Sequence, residues 1–140
     1  MAKQPINVTA STLTVDRDNH AGAVVTVNRA AGCVVTLPAS IGKGDEYTFF
    51  VGTTISSNSF KVQVANASDT LAGGVSISTD IGGVTMLAGG TDDTITMSGS
   101  TTGGVAGSFV KLVDVALNKW MVSGFLASTG TEATPFSAAV

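Results

Sequence analysis

Ser108-Phe109-Val110-Lys111-Leu112-Val113-Asp114-Val115 and Trp120-Met121-Val122-Ser123-Gly124-Phe125-Leu126, joined by Ala116-Leu117-Asn118-Lys119, decide how this chain folds. Asn118 tolerates the positive φ that a tight turn demands, so the two arms read as a hairpin. Trp120, beside the turn, is expected to anchor one end of a core, because an indole buries a large apolar area for little lost rotamer freedom.

The same two-residue period recurs outward from that hairpin, in Phe60, Val62 and Val64, in Val75 and Ile77, and in Ile95 and Met97. It is the signature of a strand with one buried face. Between the periodic runs stand turn-forming breaks, among them Ala21-Gly22, Ala31-Gly32, Gly42-Lys43-Gly44, Ser56-Ser57-Asn58, Gly73-Gly74, Gly82-Gly83, Gly89-Gly90 and Gly103-Gly104. Nine strands are expected: Ile6 to Val15, Ala23 to Val27, Cys33 to Leu37, Glu46 to Val51, Phe60 to Val64, Val75 to Thr79, Thr94 to Ser98, Ser108 to Val115 and Lys119 to Ala127. Ile6, Val8 and Ala10 share one face and Leu13 and Val15 the other, which predicts a bulge near Ser11 and Thr12. No window of helical length keeps an apolar stripe, and only Ala65 to Leu71 has room for a single helical turn. The pattern predicts an all-β chain, an antiparallel β-sandwich with short strands and Gly/Ser/Thr-rich loops. The stretch from Gly73 to Gly107 carries no strict repeat, which disfavours a solenoid.

At 140 residues the chain fits one domain, assigned to residues 1–127, with 128–140 as an extended tail. That tail is small and polar with a single aromatic residue. It is either a frayed end or an arm that orders on a neighbouring subunit, with Phe136 as its partner-binding anchor.

Only 12% of the residues are charged, against roughly a quarter in ordinary soluble domains, yet mean hydropathy is +0.38. Such a surface stays soluble through small hydroxylated residues or by lying against a partner. The formal charge of −3 and the scattering of Lys3, Arg17, Arg29, Lys43, Lys61, Lys111 and Lys119 argue against nucleic-acid binding, which needs basic residues clustered on one face. No apolar run approaches the length of a membrane span, and Met1-Ala2-Lys3-Gln4-Pro5-Ile6 does not read as a secretory signal, so synthesis in a cytoplasm is expected. Cys33, the single cysteine, is expected to be a buried core residue.

The chemistry-bearing patterns fail one after another. Asp16-Arg17-Asp18-Asn19-His20-Ala21 opens like a calcium loop, but the sixth position is Ala21 and the twelfth Val27, so a polar turn is expected. Gly42-Lys43-Gly44 opens like a phosphate loop and runs into Asp45-Glu46. Neighbours in a strand point to opposite faces, so neither Asp45-Glu46 nor Asp92-Asp93 forms a facing pair of catalytic carboxylates by itself. With one histidine and no nucleophile elbow, P-loop or zinc spacing, no enzyme, metal or cofactor is expected. A lectin-like domain using Asp92 and Asp93 to hold calcium is a weaker alternative.

His20-Ala21-Gly22, Asn28-Arg29-Ala30-Ala31-Gly32, Thr36-Leu37-Pro38-Ala39, Tyr47-Thr48-Phe49 and Asn66-Ala67-Ser68-Asp69 carry a resemblance to a known family. Over residues 18–70, and elsewhere by length and style, the chain resembles the capsid cement, or decoration, proteins of short-tailed phages. The resemblance implies a jelly-roll-like sandwich on the outer surface of an icosahedral capsid, bridging copies of a major capsid protein with an HK97-like fold. It further implies self-association, as a homodimer over local twofold axes or alternatively a trimer, with no nucleic acid, membrane or catalytic residue involved. A phage tail, fibre or receptor-binding module is the competing functional reading.

Overall fold

The computed structural model describes residues 3–140; Met1 and Ala2, which open the expected domain and the N-terminal segment, lie outside the described residues. The chain forms an all-β sandwich of two sheets. Its strands are β1 (Ile6–Val8), β2 (Thr12–Thr14), β3 (Val24–Val27), β4 (Cys33–Thr36), β5 (Glu46–Val51), β6 (Phe60–Gln63), β7 (Thr70–Thr79), β8 (Gly82–Leu87), β9 (Thr94–Met97), β10 (Phe109–Ala116), β11 (Lys119–Ala127) and β12 (Phe136–Ser137). The seven-stranded sheet has the order β1-β3-β5-β10-β11-β7-β8, and the five-stranded sheet β12-β9-β6-β4-β2.

Up to β6 successive strands alternate between the sheets, so β1, β3 and β5 stack in one and β2, β4 and β6 in the other. Each strand that rejoins its own sheet has first crossed the opposite one and come back, so it runs in the same direction as its neighbour. Pairing in this half is therefore parallel, with Val25 beside Ile6 and Phe49, and Val35 beside Leu13 and Val62. Antiparallel pairing holds at β10 with β5 and β11, at β7 with β8, and at β9 with β6 and β12. The uniformly antiparallel sandwich expected from the sequence is thus a mixed one. Frequent turn residues suggest hairpins, but here many of them join strands of different sheets.

The alternation predicted from the sequence is what fills the interior. Val25, Val27, Phe49, Val51, Val110, Leu112 and Leu126 face inward from the large sheet, and Cys33, Val35, Phe60, Val62, Ile95 and Met97 from the small one. Phe49 meets Phe60 across the gap, ring centroids 6.4 Å apart at 63°, an edge-to-face contact. Trp120 is buried, edge-on to Tyr47 at 5.8 Å. Asn118 has φ 60°, as its turn requires.

Several local expectations are corrected. The first strand does not bulge at Ser11 and Thr12; it breaks there, and β1 and β2 belong to different sheets. The change of inward face between Val8 and Leu13 is the trace of that switch. The polar turn at Asp16 is a single helical turn, α1 (Arg17–His20), capped by the Asp16 side chain accepting from Asn19 N–H at 2.8 Å. Ala65 to Leu71 forms no helix, because Asn66 Oδ1 accepts from the N–H groups of Ser68 and Asp69 and makes a turn instead. Gly73-Gly74 is not a break but lies inside β7. At Gly73, with φ +118°, a Cβ would sit 2.3 Å from the Val122 carbonyl oxygen, so the glycine lets β7 approach β11.

The largest correction concerns residues 128–140. Ser128 N–H bonds the Ser78 carbonyl at 2.9 Å, β12 pairs with β9, and Phe136 is 5% exposed within the core. The segment closes the small sheet of its own chain, and its aromatic ring is spent there instead of on a neighbouring subunit. The sequence shows only one aromatic residue in a polar stretch, too short a signal for the two-residue strand that holds it.

Trp120→Ala is expected to cost about 3 to 5 kcal/mol in urea unfolding, and Phe136→Ala about 3 kcal/mol or more, since both rings leave cavities. Removing residues 128–140 should lower the melting temperature of the isolated chain by at least as much as Phe136→Ala does. An unchanged melting curve would detach this segment from the core.

Candidate interaction surface

The outer face of the large sheet is built by the side chains that strand alternation sends away from the core. In β5, Tyr47, Phe49 and Val51 point inward, so Phe50 must point outward. Register then aligns it: Phe50 lies opposite Phe109 on β10, and Phe109 opposite Phe125 on β11. The three phenylalanines form one row across three adjacent strands, 37%, 39% and 38% exposed. Thr26 on β3 and Ser76 on β7 extend the row on either side. The next positions on the same face bring Val24, Thr48, Lys111 and Ser123 into a second row, and Val113 and Met121 into a third. Charge on this face is limited to Lys111 and Glu46, paired at 3.2 Å, and to Lys119 at the start of β11, whose Nζ donates to Thr70 Oγ1 at 2.6 Å.

Sequence reading did not single out this row. The available signal was Phe49-Phe50, adjacent aromatics in a strand of which only one can be buried; which other phenylalanines join it depends on register, which the sequence does not print. Beyond the row, β8 ends the sheet with Val84 and Leu87 exposed, next to the exposed Ile81 of the β7–β8 turn.

At one end of the sandwich lies a buried polar cluster. Asp114, 3% exposed, precedes a register irregularity between β10 and β11 and turns its carboxylate toward the loop before β5. It accepts from the N–H groups of Ile41 at 3.1 Å, Gly42 at 2.7 Å and Lys43 at 3.2 Å, and from the Ser40 hydroxyl at 2.9 Å. Consecutive N–H groups pointing at one anion make a nest. The Gly42-Lys43-Gly44 loop, which opens like a phosphate site, is thus anion-binding in geometry, and its anion is the chain's own Asp114. Ser40 N–H donates to Asp69 Oδ2 at 2.9 Å, tying the loop also to the turn before β7. Burial pushes the Asp114 carboxyl up, but the bonds from Gly42, Lys43, Ile41 and Ser40 outweigh it, and the group ends below the ordinary carboxylate range.

The remaining sequence candidates are accounted for individually. Asp93 is buried, accepting from Thr94 Oγ1 at 2.8 Å and from the N–H groups of Ala139 at 2.8 Å and Val140 at 3.2 Å. Asp92 Oδ2 accepts from Gly89 N–H at 2.7 Å. Both carboxylates of the calcium alternative are thus bound to the chain's own groups, and among the described residues no cluster of three His, Cys, Asp or Glu side chains is placed to hold a metal ion. Asp45 pairs with Arg17 at 3.1 Å and Glu46 with Lys111, so the two neighbours serve separate contacts. Cys33 is buried, and that burial raises its thiol above the ordinary range despite the nearby Arg29. Among the described residues no helix is long and apolar enough to cross a membrane. No family model, curated protein or solved structure matches the chain.

Because the folded-state carboxyl of Asp114 titrates below its unfolded value, its contribution to stability is present above about pH 4 and is lost as pH falls through the folded value. Asp114→Asn should therefore lower stability by roughly 1 to 3 kcal/mol at neutral pH, by leaving buried donors poorly matched. It should also flatten the acid limb of a stability-against-pH profile measured by chemical denaturation. An acid limb identical to that of the parent chain would remove Asp114 from this role.

Proposed function

We propose that the chain is a structural virion protein that decorates and cements the outside of an icosahedral phage capsid, bridging neighbouring major capsid proteins of HK97-like fold. The observation that carries this reading is the Phe50, Phe109 and Phe125 row on the outer face of the large sheet. Aligned aromatic side chains on a stiff sheet offer apolar contact with little side-chain entropy to lose, and exposed apolar patches mark sites of protein interaction. Interface centres are depleted in charge, as this face is. The resemblance to capsid cement proteins supplies the identity of the partner and the self-association, a homodimer or alternatively a trimer.

Formal charge favours the same reading. Asp69, Asp93 and Asp114 are buried, which leaves seven acidic side chains outside the core against seven basic ones. The molecule as a whole keeps a small formal charge of −3, so long-range electrostatics contributes little to a contact with a shell. Each contact can be weak, because a bridge that touches two capsid subunits gains from effective concentration.

Titrating the purified protein onto undecorated shells, with electron microscopy of the product, tests the proposal. Saturable density at capsomer junctions is expected, with affinity changing little between low and physiological salt. Phe109→Thr, at the centre of the row, should weaken binding about tenfold or more while lowering fold stability by only about 1 kcal/mol. Absence of binding at physiological salt overturns the reading, and density at the tail would transfer it to the fibre class.

A further inference from the structure

β8 leaves one side of its backbone unpaired along its length. Its register with β7 runs from Thr79 opposite Gly82 to Gly74 opposite Leu87 without a shift, and Ala88 N–H donates to the Gly73 carbonyl at 2.9 Å. Antiparallel bonding alternates along a strand, so Gly82, Val84 and Met86, in step with Ala88, turn their N–H and C=O groups toward β7. Those of Gly83, Thr85 and Leu87 point out from the sheet edge, where no further strand pairs with them.

The side chains do nothing to protect that edge. Gly82–Leu87 contains no charge, no proline and no bulge, the devices that ordinarily keep an exposed edge from pairing. Val84 lies opposite the buried Ile77 and so faces the core side, yet it is 46% exposed, because the five-stranded sheet does not cover it. Leu87, on the outer face, is exposed as well.

We propose that β8 pairs antiparallel with β8 of a second copy of this chain, across a twofold axis at Thr85, joining two seven-stranded sheets edge to edge. The occupant follows from self-complementarity. With Thr85 opposite the partner's Thr85, Gly83 falls opposite the partner's Leu87, and the outward N–H and C=O groups of these three residues all find partners. On the outer face Leu87 then covers the partner's Gly83, a large side chain beside a position that has none. On the core side Val84 lies beside the partner's Met86, apolar against apolar. A charged edge strand would set like charges against each other across the axis, and this strand carries no charge. Isologous pairing uses the edge of both copies, so assembly closes at two and a trimer does not form by this route. Register also carries the phenylalanine row to the axis, since Phe125 lies opposite Ser76 and Ser76 opposite Thr85. The dimer presents two such rows on one continuous face, one for each capsid neighbour; in that use the inference rests on the capsid reading and gives its self-association a surface.

Sedimentation of the full chain should show a concentration-dependent equilibrium between monomer and dimer, and amide exchange at Gly83, Thr85 and Leu87 should slow as the dimer forms. Cα atoms of a hydrogen-bonded antiparallel pair lie about 5.5 Å apart, within the usual disulfide span, so mild oxidation should link Thr85→Cys to its copy. Ile81→Cys is the control. Ile81 is 94% exposed and collides freely, but in the paired strands its copy lies about 27 Å away, so it should stay unlinked. Cys33 is buried and does not compete. Val84→Lys, at an exposed position, should stay folded and shift the equilibrium to the monomer by placing lysines close to the axis. A parent chain that is monomeric at every concentration, a trimer, or Ile81→Cys linking as readily as Thr85→Cys overturns the proposal. A dimer that ignores undecorated shells supports the edge pairing and overturns the capsid reading alone.

Discussion

Parallel strands cannot be joined by tight turns, and the first half of this chain meets that constraint by routing every crossover through the opposite sheet. In most parallel sheets a helix makes the return journey. Here a strand makes it, so each excursion adds to the second sheet while it returns to the first. The consequence is mutual dependence: β3 and β5 pair correctly only if β4 lies across from them, and the inward residues of both sheets must interdigitate for either to be covered. Phe49 and Phe60, meeting edge-to-face, sit where the two stacks close on each other. Neither sheet is an independent unit.

The later strands seal what the winding leaves open. The β10–β11 hairpin enters the large sheet beside β5 and joins the coiled half to β7 and β8, while β9 and β12 finish the small sheet. Three of the four sheet edges, β1, β2 and β12, are two or three residues long, which limits the backbone they expose. β8 is the longer edge and the one that carries exposed apolar side chains. Growth by edge pairing is thereby confined to one place.

What the sequence disclosed follows from what is local. Two-residue alternation is local, so the strands β3 to β6 and β9 to β11 were legible to within a residue or two, as were the burial of Trp120 and Cys33 and the turn at Asn118. Sheet membership is not local. A face change at Ser11 and Thr12 reads equally as a bulge or as a passage between sheets, and only the partners of β1 and β2 decide. β8 leaves no trace in the sequence because Gly82-Gly83-Val84-Thr85-Met86-Leu87 has no buried face to create a period. The first half of β7 is hidden because Gly73-Gly74 has the composition of a turn, although its surroundings need a strand without side-chain bulk. Phe136 reads as an anchor for a neighbour because its strand is two residues long and its partner, Ile95, is distant in sequence. At the candidate surface, the phenylalanine row depends on register, which no local pattern carries.

The placement of the few charges links stability to surface character. Asp114 organises the loop before β5 by satisfying consecutive N–H groups, Asp69 holds Ser40, and Asp93 receives the last N–H groups of the chain. Each carboxylate does inside the fold what a backbone ladder cannot do at a loop or terminus. With those three acids buried, the acidic and basic side chains left outside the core are equal in number. β5 and the β10–β11 hairpin carry all three consequences at once. Their inward side chains bridge to the small sheet, their outward phenylalanines form the row, and Tyr47, Asp114 and Trp120 lie together at their common end. A change in that hairpin therefore acts on core, face and the Asp114 loop together, whereas a change at Ile81 or Leu87 acts on the surface alone.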